Sequence, residues 1–135
     1  SPRITYGRVT GWSEPSGRVV GQFTHTEGLY ERSTGTSPFV LSERWADARG
    51  RLDPRGIFNV STSTDVIGGN SGGPLLDREG DVVGAVFDGN VHLLGGEYFY
   101  DGALNRSVTV TSTIIHTALA DVYGMHALVA EIEGR

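Results

Sequence analysis

Twenty glycines are spread along a chain of 135 residues, and their spacing constrains the fold more than any other feature. Glycine weakens helix interiors and favours turns, so this distribution cuts the chain into short segments and points to an all-β body. "RITYGRVTGW" (3–12) and "GRVVGQF" (17–23) flank the turn "SEPS" and read as a strand pair. "GLYERSTGTSPFVLSERWADARGRLDP" (28–54) is polar, contains Pro38 and Pro54, and reads as a long irregular connection with one helical turn near Glu43 to Ala48. "GIFNVSTST" (56–64) is a turn-bounded β-branched strand; "DVVGAVFD" (81–88) is the continuous apolar run of a strand buried on both faces; "RSVTVT" (106–111) alternates as a half-buried strand. From Ser112 the period changes. Ile114, Ile115, Ala118, Leu119, Val122 and Tyr123 share one helical face, with Ser112 or Thr113 as cap and Gly124 as terminator. The simplest assembly is one domain over 1–135, a small β-barrel with a terminal helical segment over 112–132.

A net charge of −5, with the basic residues scattered singly, argues against a nucleic-acid or anionic-membrane surface. All 11 basic residues are Arg, which bears on no mechanism. The absence of Cys excludes disulfides, thiolate metal sites and Cys nucleophiles, but leaves the compartment open. No apolar run approaches the roughly 18 residues of a membrane span, so no membrane insertion is expected. The chain has neither initiator Met nor signal peptide and is expected to begin inside a longer protein or to have been processed. The final "IEGR" (132–135) spells a protease-cleavage tag and takes no part in the functional reading.

The chemistry concentrates in "VIGGNSGGPLLD" (66–77). A serine hydroxyl becomes a nucleophile only when a base takes its proton, and the anion it generates needs preformed donors. In "GGNSGG" the backbone amides of Gly69 and Ser71 are spaced to serve one concavity as an oxyanion hole. A plain glycine-rich loop with a solvated Ser71 is the alternative. The context favours the nucleophile: Pro74, the Leu75-Leu76 pair, the hairpin signal "DREGD" and the apolar strand follow in order.

That order resembles the second barrel of chymotrypsin-like serine peptidases, although Asn70 stands where animal members have Asp, so their zymogen-maturing salt bridge cannot form. "GLYERSTGTSPF" (28–39), Arg44-Trp45, "GGNSGGP" (68–74), "FDGN" (87–90) and "NRSVTV" (105–110) together resemble the C-terminal region of the bacterial family of dipeptidyl peptidases 7 and 11. The resemblance runs from about Arg3 to the terminal helix. It implies a chymotrypsin-like six-stranded barrel, the second half of a double barrel, packed against an N-terminal barrel of the same chain. It further implies an exported, periplasmic enzyme that needs no metal or cofactor and takes dipeptides from the N-terminus of peptide substrates. A homodimeric parent is left open.

On that resemblance Ser71 matches the nucleophile, and Gly69 with Ser71 the oxyanion hole. Asp88, flanked by Phe87 and Asn90 in the substrate-binding stretch, matches an acid that helps to hold the substrate's α-ammonium; its other reading is a turn-forming Asp in "FDGN". Gly89 matches the position at which acid-selective members carry Arg, which implies an apolar or uncharged penultimate residue; Gly89→Arg is then expected to move the preference toward Asp or Glu. There are departures. Gly73 stands where many members have Ser, and "TSTII" (111–115) stands where the family has an acidic residue and an Arg-aromatic pair.

The base is the missing part. His116 and His126 fall in the terminal helical segment, and neither His25 nor His92 has a base-like context, so the resemblance puts the catalytic His and Asp N-terminal to this chain, and the isolated segment is expected to be inactive. Two rival readings stay open. Asp65, six residues before Ser71, is at the offset of a trypsin-like specificity acid and suits a trypsin-like or stress-protease endopeptidase fragment. A non-catalytic binding barrel is the other.

Overall fold

The computed structural model describes residues 4–95 and 98–134; Arg3, where the first strand reading begins, and Arg135, which ends "IEGR", lie outside the described residues. The first segment folds back on itself. Trp12–Ser13 (β1) pairs antiparallel with Val19–Val20 (β2), and Gly17, at φ +86, donates to the Glu14 carbonyl to close the turn. Phe23–His25 (β3), Ile57–Thr62 (β4), Pro74–Leu76 (β5), Val82–Gly89 (β6) and Ser107–Thr111 (β7) form a second sheet, in spatial order β3-β4-β7-β6-β5 with all neighbours antiparallel.

This sheet is open, which corrects the expected all-β, six-stranded chymotrypsin-like barrel. Closure requires the outermost strands to pair, but β3 and β5 lie at opposite edges and the β1–β2 ribbon is a separate sheet rather than a sixth strand. The edge strands are three residues each, too short to wrap around and meet. Beyond β3, the edge of β4 is continued by extended chain, with Val9 bridging to Thr62. The fold is mixed α/β: a five-stranded open sheet with four α-helices among the described residues.

Two of those helices lie in or beside the long connection: one falls at the helical turn expected near Glu43 to Ala48, and the other, Thr26–Arg32, was not expected. Thr26–Arg32 (α1) contains Gly28 and has no side-chain cap, and Glu43–Ala48 (α2) has six residues, so neither is stable by propensity alone. Packing supplies what propensity lacks. Tyr30, Ala48, Leu52 and Val122 form one buried cluster, and the Tyr30 hydroxyl donates to the Trp45 carbonyl at 2.8 Å, tying α1 to α2. Burying side chains the size of Leu52 and Val122 contributes about 1.5–3 kcal/mol each.

After β7 the chain turns helical at once. Thr111, not Ser112 or Thr113, caps Ser112–Thr117 (α3), its Oγ1 accepting from the Ile114 amide at 3.3 Å. Residues Ala118–Val122 continue in wider turns, with Tyr123 N–H reaching the Ala118 carbonyl, before Gly124 (φ +66) breaks the helix and His126–Ile132 (α4) follows. Helix α3 packs against β4, β6 and β7, with Ile114 buried.

Within β7 the polar residues take the more buried face: Ser107, Thr109 and Thr111 are buried, Val108 and Val110 only half-buried. Ser107, Thr62 and Thr64 close a triangle of hydroxyl hydrogen bonds at 2.6, 2.7 and 2.7 Å, which satisfies three buried groups and anchors the start of the following loop. Strand β6 likewise differs from a strand buried on both faces: Gly84 and Val86 are buried, whereas Phe87 and Asp88 are exposed.

The chain exposes 9369 Å², against about 6,800 Å² for a compact monomer of this mass. Much of the surplus is apolar, including Ile4, Tyr6, Val19, Tyr98 and Phe99, all more than 70% exposed.

Candidate active site

The site begins with a register shift. Val86 pairs with Thr109 and Asp88 with Val108, leaving Phe87 as an extra residue in β6. Successive strand residues ordinarily face opposite sides; a bulge re-aims them. Phe87 and Asp88 are consequently both exposed, and both line the same cleft.

The glycine-rich turn is tied to the same stretch of β6. Gly72 N–H donates to the Val86 carbonyl at 2.7 Å, and Val86 N–H to the Gly73 carbonyl at 2.9 Å, which sets Ser71 beside Phe87. Asn70 closes the preceding loop: its Oδ1 accepts from the Ile67 amide at 2.8 Å and its N–H donates to the Ile67 carbonyl. Gly69 and Gly72 lie at φ +94 and +85, which L-residues rarely adopt. The amides of Asn70, Gly72 and Gly73 have carbonyl acceptors, whereas those of Gly69 and Ser71 have none among the described residues. Ser71 is exposed, and among the described residues its Oγ has a single hydrogen-bond partner, the Phe87 carbonyl at 3.4 Å, longer than an ordinary O–H···O bond.

Of the residues singled out in the sequence, Ser71, Phe87, Asp88, Gly89 and Asn90 line one cleft of about 200 Å³; Gly69 does not, although Gly68 and Asn70 do. Asp65 is exposed and lies outside the lining, which removes the geometric support for a trypsin-like acid. One Asp88 oxygen accepts from the Gly89 amide at 2.8 Å, and no cationic side chain pairs with Asp88 among the described residues. The Asn90 carboxamide is engaged internally: Nδ2 donates to the Leu104 carbonyl at 2.6 Å and Oδ1 accepts from the Arg106 amide at 3.1 Å.

Leu93 and Leu94 also line the cleft and Arg106 braces the loop beside it; none of them carried a signal in the sequence. Leu93 lines the cleft from the 3₁₀ turn Val91–Gly95. Arg106, 5% exposed, pairs with no carboxylate among the described residues; its guanidinium donates to the carbonyls of Gly11, Gly102, Ala103 and Asn105, fastening the loop before β7 to the first segment. None of the four histidines lines the cleft. His92 meets Glu14 at 2.8 Å and His116 meets Glu133 at 3.2 Å. Among the described residues, no group of three or more His, Asp or Glu could hold a metal, and no helix is long and apolar enough to cross a membrane.

The Glu14–His92 contact ties the β1–β2 ribbon to the turn that carries Leu93. A hydrogen bond from Trp12 Nε1 (2.6 Å), and then the one with His92, hold the Glu14 carboxyl below its ordinary value of 4.5. A depressed folded value means that the tether's contribution is present above that ordinary value and is lost as pH falls through the folded one. The protection of β1 and β2 amides relative to their intrinsic exchange rates is expected to fall over that acid range, and Glu14→Gln to flatten the pH dependence; hydrogen-exchange mass spectrometry across the range checks it.

Comparison with known proteins follows the same outline. A family model described as Peptidase S46 matches residues 1–134. The chain is 29% identical to a dipeptidyl-peptidase 7 of Phocaeicola vulgatus over 139 residues, covering 96% of the chain and 19% of the relative. It is also 29% identical to an Asp/Glu-specific dipeptidyl-peptidase of Porphyromonas gingivalis over 143 residues, covering 96% and 20%. Among solved structures, Porphyromonas endodontalis DPP11 in complex with the dipeptide Arg-Asp superposes with a TM-score of 0.89 at 23% identity, over 95% of this chain and 20% of that one; at such identity the likeness is one of fold. The chain thus spans about a fifth of the length of these relatives.

Proposed function

The chain belongs to the peptidase S46 family, and from that premise we propose that it is the nucleophile-bearing C-terminal part of an exported, periplasmic serine dipeptidyl peptidase. Ser71 Oγ attacks the carbonyl carbon of the substrate's second residue while a His from the remainder of the polypeptide, oriented by an Asp, takes the hydroxyl proton. The amides of Gly69 and Ser71 receive the developing oxyanion. The C–N bond then breaks, the proton passes to the departing amine, and water hydrolyses the ester to release the dipeptide and restore Ser71. The observation that supports this reading is that the exposed Ser71 hydroxyl and the Asp88 carboxylate line one cleft at a bulged strand end, and that among the described residues no acceptor takes the Gly69 and Ser71 amides and no cation pairs with Asp88.

Asp88 is assigned to the substrate's α-ammonium, which only a true N-terminus supplies. Phe87 and Asn90 flank it. Specificity cannot be taken from identity, because relatives of both named kinds match at 29%. The cleft itself favours an apolar or uncharged penultimate residue: Val66, Ile67, Phe87 and Leu93 line it, and no cationic side chain does among the described residues. The apolar surface left open by the isolated chain suits burial against the rest of the polypeptide, the N-terminal part that would bring the His and Asp.

The test uses the full-length protein on dipeptidyl substrates with free and N-acetylated termini. Acetylation is expected to abolish cleavage, and Asp88→Asn to lower kcat/KM on the free substrate by roughly 30- to 300-fold, as for loss of a charge-assisted contact. Cleavage after Arg or Lys inside a blocked peptide would instead favour an endopeptidase.

A further inference from the structure

We propose that Leu93 sets the largest penultimate side chain the cleft admits, an inference that rests on reading this cleft as the pocket for that side chain. A Cβ placed on Gly89 would stand 2.5 Å from Leu93 Cδ1, 3.0 Å from Leu93 Cβ and 3.2 Å from the Arg106 carbonyl oxygen. Rotation of the leucine relieves only the first contact. The second is set by the backbone of the 3₁₀ turn, and the third by a carbonyl already held by the Asn90 amide at 2.9 Å.

The turn has little freedom to yield. Leu93 N–H donates to the Asn90 carbonyl at 2.9 Å, His92 is tied to Glu14, and the Asn90 carboxamide is fixed to Leu104 and Arg106. Leu93 is half-buried in this bracket, whereas Leu94 beside it is 84% exposed. Leu93 therefore fills the space above Gly89 as a fixed wall, and the absence of a side chain at 89 is what makes room for it. The two positions act as one device: shortening Leu93 deepens the cleft, and a side chain at 89 competes with Leu93 for one volume. It follows that Gly89→Arg alone does not create an acid-binding pocket; the cation has room only when Leu93 is also shortened.

The experiment measures kcat/KM of the full-length protein on substrates with Ala, Leu, Phe or Trp as penultimate residue. Leu93→Ala is expected to raise the Trp-to-Leu ratio by roughly tenfold or more, the scale on which apolar pockets discriminate size. Leu93→Val, which removes less volume, is expected to shift it the same way by less. Gly89→Ala is expected to lower activity on the Leu substrate in the parent background and to cost much less alongside Leu93→Ala. An unchanged size order in both Leu93 variants, or an equal Gly89→Ala cost in both backgrounds, overturns the proposal. Fluorophosphonate labelling of Ser71 in each variant separates an altered pocket from a damaged site. No Ser71 labelling in the unaltered protein would instead remove the reading beneath it.

Discussion

Replacing Ser71 by Ala in the full-length protein is expected to lower kcat/KM on dipeptidyl substrates by roughly 10⁴-fold or more, with thermal unfolding unchanged. The two halves of this expectation have separate causes. Activity falls because the attacking oxygen is gone and the cleft lining holds no other hydroxyl among the described residues. Stability holds because Ser71 Oγ is exposed and makes one long contact, to the Phe87 carbonyl. Deleting a hydroxyl that bonds mostly to water leaves no buried partner unsatisfied. A variant with the parent's turnover would remove Ser71 from the chemistry, whereas a large fall in unfolding temperature would assign it a structural role that its contacts do not provide.

Gly69→Ala is expected to reduce kcat by roughly 10²–10³-fold, the scale of losing one oxyanion donor. No clash is involved, since a Cβ at Gly69 meets nothing within 4 Å. The cause is conformational: Gly69 sits at φ +94, and an L-residue held in a left-handed conformation costs about 1–2 kcal/mol. Rotating the peptide out of that region relieves the strain and re-aims the amides assigned to the oxyanion. Gly68 offers the control. It too has open space around its Cα but lacks a positive φ, so Gly68→Ala, although it adds a methyl group at the cleft lining, is expected to cost clearly less kcat than Gly69→Ala. Equal losses in the two variants, read from steady-state rates, would show that bulk in the loop matters and the left-handed turn does not.

The division between what the residues announce and what only coordinates reveal follows the range of the interactions. Strands at 57–62, 82–89 and 107–111 coincide with β-branched or apolar runs bounded by turn residues, because strand formation there is favoured locally. Helix α1 was hidden: Gly28 and the polar residues around it carry no helical period, and Tyr30 is drawn into place by Ala48, Leu52 and Val122 from elsewhere in the chain. Barrel closure failed as an expectation because it depends on which edges meet, and no local spacing encodes that β3 and β5 end on opposite sides.

The candidate site divides in the same way. Ser71 and its glycines were legible because a left-handed turn needs glycine and leaves its mark in composition. Asp88 and Gly89 came from resemblance to a family, not from periodicity. The bulge that brings Phe87 and Asp88 to one side is a register shift of one residue, invisible to an alternation of apolar and polar positions. Nothing in "NVHLLGG" marks Leu93 as part of a cleft, and Arg106 reads only as the first residue of the strand "RSVTVT". The burial of the Arg106 guanidinium among four main-chain carbonyls is settled by the loop at 102–105 and by Gly11, far apart in sequence.

The most direct measurement is peptide mapping of the full-length protein after reaction with a fluorophosphonate. A single stoichiometric adduct on Ser71, lost in Ser71→Ala and slowed by an N-terminally free peptide, is the predicted result. An adduct on another serine, or labelling that persists in Ser71→Ala, would contradict the assignment of Ser71 as the nucleophile.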